Sequence, residues 1–260
     1  MNIERLDRLD AMIASGSIIR GAWTDGHERA CLLAALSPEA GVAESATACP
    51  AEVMPPWMAH LTVWIDDNPS EGAWPALVGR YAALARRWHA LDDAGWERAR
   101  IGVMIAIVTE ARMHVAPKYA EASVAVNGVL AWLERGASKD ELALMQAAAR
   151  RATKAASKAA AAASTRRAAE GAVWEEATHE TWAAACAVWA ADRVVTSEMK
   201  EGPRAAEDAK EAAWRYAMST GSVDTWLGVA ERAVKEASAD RIAEHMLDAI
   251  EQEIVRATES

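Results

Sequence analysis

Apolar residues recur at helical spacing through the N-terminal half of the chain. The first helix is predicted to end at Gly16, and its apolar face consists of Ile3, Leu6, Leu9 and Ile13. Further helices are predicted at 27–36, 57–67, 70–88 and 95–115. Ser70 is a suitable N-cap for the third of these, and Asp92 or Asp93 for the fourth. Residues 37–56 are rich in Pro, Gly, Ser and Thr and have no helical period, which predicts a loop.

Helical patterns continue in the C-terminal half, where alanine dominates. Helices are predicted at 119–135, 138–169, 171–189, 204–218 and from 222 onward. The apolar face of the last one shifts phase near 238–240, from Trp226, Ala230, Ala233 and Ala237 to Ile242, Met246, Ile250 and Ile254. A kink or two abutting helices would explain that shift.

These patterns predict an all-α protein, a multi-helix bundle of roughly nine to eleven helices with long Ala-rich helices in its C-terminal half. We divide the chain into a Trp-rich helical N-terminal domain, 1–117, and an Ala-rich helical bundle domain, 118–260. Ile101–Val108 is nearly all apolar, so that helix is expected to be buried on all sides. The charge-free run Ile101–Thr109 is too short to cross a bilayer, which takes about 20 residues, and no membrane partner is expected.

Composition adds two constraints. The chain has twelve Trp, three Tyr and no Phe, which suggests a core of a few large indoles set among alanines, although genomic base composition accounts for this equally well. Its formal net charge of −10 excludes a generally basic nucleic-acid coat. Three widely spaced cysteines without a CxxC motif exclude a disulfide framework and a cysteine zinc site, and indicate a reducing compartment.

Charge is unevenly distributed along the C-terminal half. Leu142–Ala169 contains no acidic residue but six basic ones, which we call the basic stripe: Arg150, Arg151, Lys154, Lys158, Arg166 and Arg167. The first four fall within a sector of ~100° on a helix. The stripe either pairs with acidic residues of the same molecule or contacts a nucleic-acid backbone or an acidic partner surface.

Residues 170–260 carry nineteen acidic and nine basic side chains. Such a surface would imitate the charge of a phosphate backbone, or would simply keep an Ala-rich helical protein in solution. Both interpretations stay open at this stage, and the second is favoured.

Catalytic motifs are incomplete in this sequence. Glu176 and His179 have the Glu-x-x-His spacing of di-iron helix bundles, but no second copy accompanies them. Asp66, Asp67 and Glu71 form an acidic cluster that suits a divalent cation, but the end of a helix explains it equally well. We therefore predict no catalytic residue, no metal and no cofactor, and an enzyme is the less favoured class.

Two blocks of the sequence carry a resemblance to a known group of proteins. The segment WIDDNPSEGAWPAL, with the preceding WTDGHERACLLAALSPEA, and the tail DRIAEHMLDAIEQEI resemble uncharacterised Ala-rich helical proteins encoded by phages and prophages of GC-rich bacteria. The resemblance implies an accessory protein of a mobile element that acts in the cytoplasm of a bacterial cell. It implies no activity and no catalytic residue.

The leading functional hypothesis is a protein that binds and inhibits a host macromolecular machine, as an anti-CRISPR-like or other anti-defence inhibitor. Its partner would be a host protein or nucleoprotein complex, with nucleic-acid backbone contact through the basic stripe. The alternatives are a helical immunity-type protein that neutralises a toxin, a nucleic-acid- or nucleotide-binding enzyme that uses the Trp-rich half, and a virion component. Ala-faced helices and complementary charges would also support a homo-oligomer.

Overall fold

The computed structural model describes residues 3–26, 28–113, 120–135, 147, 151 and 228–259. These residues are mostly helical and form no strand beyond two isolated β-bridges, which confirms the all-α class for this part of the chain. Eight α-helices are described: α1 (Ile3–Ala14), α2 (Leu32–Leu36), α3 (Pro38–Ala43), α4 (Pro56–Asp67), α5 (Trp74–Ala85), α6 (Asp93–Met113), α7 (Ala120–Arg135) and α8 (Gly228–Glu259). Short 3-10 helices cover Ala46–Ala48 and Trp88–Ala90.

This count is lower than the nine to eleven helices predicted for the whole chain. The helices predicted at 171–189 and 204–218, and all but two residues of the one at 138–169, lie outside the described residues. The predicted boundary at 117/118 also lies outside them and stays a prediction. No described helix is long and apolar enough to traverse a bilayer.

The described residues belong to two compact units. The first comprises 3–103 with 236–259, and the second comprises 104–113, 120–135 and 228–235, with residues 147 and 151. In the second unit, α7 buries one face that contains Val126, Val129, Leu130, Trp132 and Leu133. Their spacing is that of an amphipathic helix.

The core of the first unit is built around α2, a helix of only five residues, all of them buried. It packs against α1, α3 and α4, and α5 packs against α1 and α4. Leu32, Leu33 and Leu36 are fully buried. So short a helix has little intrinsic stability, and its conformation depends on this packing.

Two predictions for residues 27–56 are wrong. The helix predicted from residue 27 begins only at Leu32, because Glu28 has a left-handed backbone (φ 66°) and Ala30 bridges to Ile18 and Thr24. The predicted loop contains α3, whose start combines a Ser37 cap with Pro38 in its first turn. These local signals outweigh the turn-rich composition of the stretch.

The other N-terminal helices follow the prediction in part. α1 and α4 have nearly the predicted bounds, and α6 is capped by Asp92, whose Oδ1 accepts from the Gly95 N–H at 2.7 Å. The helix predicted at 70–88 is shorter: α5 covers Trp74–Ala85 and its N-cap is Ala73, while the Ser70 hydroxyl accepts from the Ala73 N–H at 3.1 Å in the preceding turn. Residues 101–108 were expected to be buried on all sides, but only one face is buried, by Val103, Met104, Ile107 and Val108, and the other four residues are partly exposed.

The last helix is a single element from Gly228 to Glu259, so the alternative of two abutting helices is wrong. Its predicted second face is confirmed, since Ile242, Met246, Ile250 and Ile254 are all at most 1% exposed. The side chains of its predicted first face lie outside the described residues. On the confirmed part, the helix approaches α6 closely: a Cβ built on Gly102 would lie 3.0 Å from the Ala249 Cβ.

Candidate functional site

The structure describes one residue of the basic stripe. Arg151 is helical and exposed. Arg150, Lys154, Lys158, Arg166 and Arg167 lie outside the described residues, as do Glu176, His179 and Cys186. The stripe therefore stays a prediction, with Arg151 as its described member.

Three carboxylates of α8 in the first unit, Asp248, Glu251 and Glu253, are paired with arginines of the same unit. Arg80 contacts Asp248 at 2.5 Å and Glu251 at 2.8 Å. Arg98 contacts Glu253 at 2.7 Å. These pairs join α5 and α6 to α8 across more than 150 residues of sequence.

Glu253 has the most protected of these side chains, with 8% of its side-chain surface exposed, and it also contacts Arg256. A nearly buried carboxylate loses much of its hydration, and two guanidinium groups compensate that loss. Asp248, Glu251 and Glu253 thus neutralise arginines within their own unit.

Asp240 makes a different connection between α8 and the start of α5. Its Oδ1 accepts from the Ser70 backbone N–H at 2.6 Å, and its Oδ2 accepts from the Ser70 hydroxyl at 2.8 Å. The same hydroxyl accepts from the Ala73 N–H, so Ser70 caps the turn before α5 while it binds α8. Hydrogen bonds to a carboxylate are stronger than those between neutral groups.

A second site centres on Asp66 in the last turn of α4. Asp66 is 1% exposed. Its Oδ2 accepts from the backbone N–H of Leu32 at 3.1 Å, and its Oδ1 accepts from the indole Nε1 of Trp74 at 3.0 Å. Burial raises the pKa of Asp66 to about 7, although these two donors lower it. One carboxyl group therefore joins the first residues of α2 and α5 to the end of α4.

Arg20 lies next to Asp66 but binds the backbone. Its guanidinium donates to the carbonyl oxygens of Asp66 at 2.9 Å, Asp67 at 3.0 Å and Pro69 at 2.5 Å. It also lies over the Trp74 ring, 5.7 Å from the centroid. Arg20 thus satisfies the carbonyl groups left unpaired at the end of α4, as a basic side chain does at a helix C-terminus.

A cavity of about 70 Å³ lies beside Asp66. It is lined by Gly21, Ala22, Trp23, Cys31, Val63, Asp66 and Asp67. This volume is well below the ~300 Å³ at which small-molecule pockets begin, so the cavity does not suit a nucleotide. Burial raises the pKa of the Cys31 thiol to about 11, which leaves it protonated and weakly nucleophilic at neutral pH.

The acidic cluster predicted around Asp66 does not converge on a metal site. Asp66 binds Leu32 and Trp74, and the Oδ1 of Asp67 accepts from the Gly21 N–H at 2.9 Å. Within the described ranges, no three His, Cys, Asp or Glu side chains are grouped as metal ligands.

Three tryptophans of the first unit, Trp57, Trp88 and Trp96, form a chain of ring contacts with Tyr81. Ring centroids lie 5.7 Å apart for Tyr81 and Trp88, 5.8 Å for Trp88 and Trp96, and 6.0 Å for Trp96 and Trp57. These tilted and edge-to-face contacts are typical of aromatic cores. The four rings thus link α4, α5 and α6 as packing groups.

The buried role of Asp66 was missed in the sequence, although a signal was present. Met58, Thr62 and Asp66 are spaced four residues apart and so share one face of α4, and Met58 and Thr62 are both fully buried. A carboxylate that continues a buried face requires hydrogen-bond donors from elsewhere in the fold. The sequence around Asp66 does not identify Leu32 or Trp74 as those donors.

Comparison of the chain with family models, curated proteins and solved structures gives no match.

Proposed function

We propose that the protein is an accessory protein of a phage or other mobile element, which binds and inhibits a macromolecular machine of its bacterial host. The basic stripe is its contact surface, and the partner is a host nucleoprotein complex that presents anionic groups. The resemblance of WIDDNPSEGAWPAL and the C-terminal tail to phage and prophage proteins supports the biological setting. An anti-defence inhibitor acting in the host cytoplasm fits that setting best.

The pairing of the α8 carboxylates carries the proposal. If the stripe were neutralised within the molecule, these carboxylates would be its natural partners. Asp248, Glu251 and Glu253 instead contact Arg80 and Arg98. Three acidic residues of α8 are therefore already engaged within the first unit, which supports an external partner for the exposed Arg151 and its neighbours in sequence.

Binding through the stripe has a characteristic dependence on salt. Four cations that each neutralise one phosphate give a log–log slope of about −3.6 with duplex DNA. Raising the salt from 50 to 200 mM would then weaken binding by about 150-fold. The stripe alone would bind an anionic partner weakly, so we expect it to contribute to a larger protein–protein interface.

The experiment compares two triple variants that remove equal charge. The stripe variant carries Arg151→Ala, Lys154→Ala and Lys158→Ala. The control replaces the exposed arginines Arg8, Arg112 and Arg135 with alanine. Each protein is expressed in bacterial strains that carry one defence system each, and phage plating efficiency is measured.

We expect the wild type and the control to restore phage plating against at least one system, and the stripe variant to lose that effect. The wild type and the control should co-purify with the affected defence complex, and the stripe variant should not. If the wild type fails to inhibit or bind any complex in the panel, the proposed function is wrong. If the stripe variant inhibits as well as the wild type, the stripe is not the contact surface.

A further inference from the structure

The Asp66 side chain occupies a junction of three elements in the first unit. It extends from the last turn of α4 and accepts hydrogen bonds from the first residue of α2 and from the indole of Trp74 at the start of α5. It is 1% exposed, and the cavity of about 70 Å³ lies beside it. Ionisation of such a group places a charge where it has almost no hydration.

The Leu32 N–H and the Trp74 indole favour the ionised form of Asp66, but the loss of hydration on burial outweighs them. Arg20 is the nearest cation, and its guanidinium is bonded to three backbone carbonyl oxygens. Asp67, the adjacent acid on α4, opposes ionisation. Cys31 at the start of α2 and Tyr81 on α5 also face this region, and burial raises the pKa of both, so they remain neutral.

The segment over the cavity is the part of this junction that is least firmly held. Residues 21–26 and 28–29 lie between the firmly bound Arg20 and the buried Ala30; they form no helix, and Gly21, Gly26 and Glu28 all have a positive φ. The segment is attached by single contacts, among them the bond from the Cys31 N–H to the Trp23 carbonyl and the bond from the Gly21 N–H to Asp67. Sparse backbone bonding of this kind favours local opening over global unfolding.

We propose that Asp66 is a proton-controlled latch: when it loses its proton, the segment between Arg20 and Ala30 detaches from the end of α4 and water reaches the carboxylate. With the proton bound, the neutral carboxyl group stays buried and the segment stays closed. This device is independent of the basic stripe and of the partner proposed for it.

The direction and size of the effect follow from linkage. The pKa of Asp66 is about 7 in the closed form, against an ordinary value of 3.8 once water reaches it. At pH values between these two pKa values, Asp66 is ionised in the open form and protonated in the closed form. The population of the open form therefore grows as the pH rises. From pH 5.5 to 8 the growth is about 30-fold, and it levels off above pH 7.5.

Two thiols of the same protein provide the measurement. Cys31 lines the cavity, whereas Cys49 is buried at the end of the first 3-10 helix, outside residues 20–31. The full-length protein is pulsed with iodoacetamide at pH values from 5.5 to 8, and peptide mass mapping gives the rate at each cysteine. The ratio of the Cys31 rate to the Cys49 rate cancels the general effect of pH on thiol reactivity.

We expect this ratio to rise about 30-fold across the range in the wild type and to stay flat in Asp66→Asn, which carries no charge at any pH. A rise of less than threefold in the wild type overturns the proposal, as does an equal rise in a folded Asp66→Asn protein. If that variant does not fold, the wild-type ratio alone decides. Neither result depends on any binding partner.

Discussion

Replacing Asp240 with alanine removes the two hydrogen bonds by which α8 holds the start of α5. Both are made to Ser70, one from its backbone N–H and one from its hydroxyl. A bond to a charged group contributes a net 1.5–3 kcal/mol at most sites. Asp240 is only half-buried, so solvent screening reduces each bond to about 1 kcal/mol, and we expect the variant to lose about 2 kcal/mol of unfolding free energy.

Urea unfolding followed by tryptophan fluorescence measures this loss. The midpoint should fall while the slope with denaturant stays constant, and the melting temperature should drop by about 4–8 °C. Hydrogen exchange adds a local measurement, because the amides of Ser70 and Ala73 should exchange faster in the variant. Asp7→Ala on the exposed face of α1 is the control and should change stability by less than about 0.5 kcal/mol.

A double-mutant cycle with Ser70→Ala isolates the bond between the two side chains. Ser70→Ala removes that bond and the cap on Ala73, but keeps the backbone contact with Asp240. Each single change removes the bond between the two side chains, so their summed losses of unfolding free energy exceed the loss in the double variant. We expect this difference, the coupling energy, to be about 1 kcal/mol. A coupling near zero, or an Asp240→Ala protein as stable as the wild type, would refute this account of how α8 is held.

Three further substitutions test the packing of the first unit. Tyr81→Phe removes a buried hydroxyl that lies 2.8 Å from the Thr62 hydroxyl, and should cost about 1–2 kcal/mol in urea unfolding; an unchanged midpoint would contradict this. Gly41→Ala places a Cβ 2.9 Å from the Ala34 Cβ and should destabilise by about 1–3 kcal/mol, lowering the melting temperature. Gly79→Ala, with no atom within 4 Å of the added Cβ, should instead stabilise α5 by up to about 1 kcal/mol, and a lower melting temperature would count against this.

The accuracy of the sequence predictions depended on how local each signal was. α1, α4 and α7 were predicted within a few residues, because apolar spacing and nearby Gly or Pro residues determine their bounds. α3 was missed, because its signal is a cap and a proline in a stretch whose composition suggests a loop. α2 was predicted too long, because a left-handed residue at Glu28 and long-range bridges to Ala30 delay its start.

The Asp66 site shows where local reasoning ends. Helical spacing places the residue on the buried face of α4, so its burial could be predicted. Its partners could not, because Leu32 lies 34 residues before it and Trp74 lies beyond the end of the helix. The chemistry of a buried carboxyl group is set by those partners and by the water it has lost, and both are properties of the folded chain.

The same limit explains why the balance of charge along the chain was ambiguous. The acidic excess after residue 170 had two apparent roles in the sequence, and the basic stripe was the only strongly basic segment nearby. In the fold, α8 lies against α5 and α6, whose arginines are scattered through the N-terminal half and form no run in the sequence. A mimic of nucleic acid needs unpaired carboxylates, and the described carboxylates Asp248, Glu251 and Glu253 are paired. This pairing weakens the mimicry hypothesis for α8, while the role of the basic stripe stays a prediction.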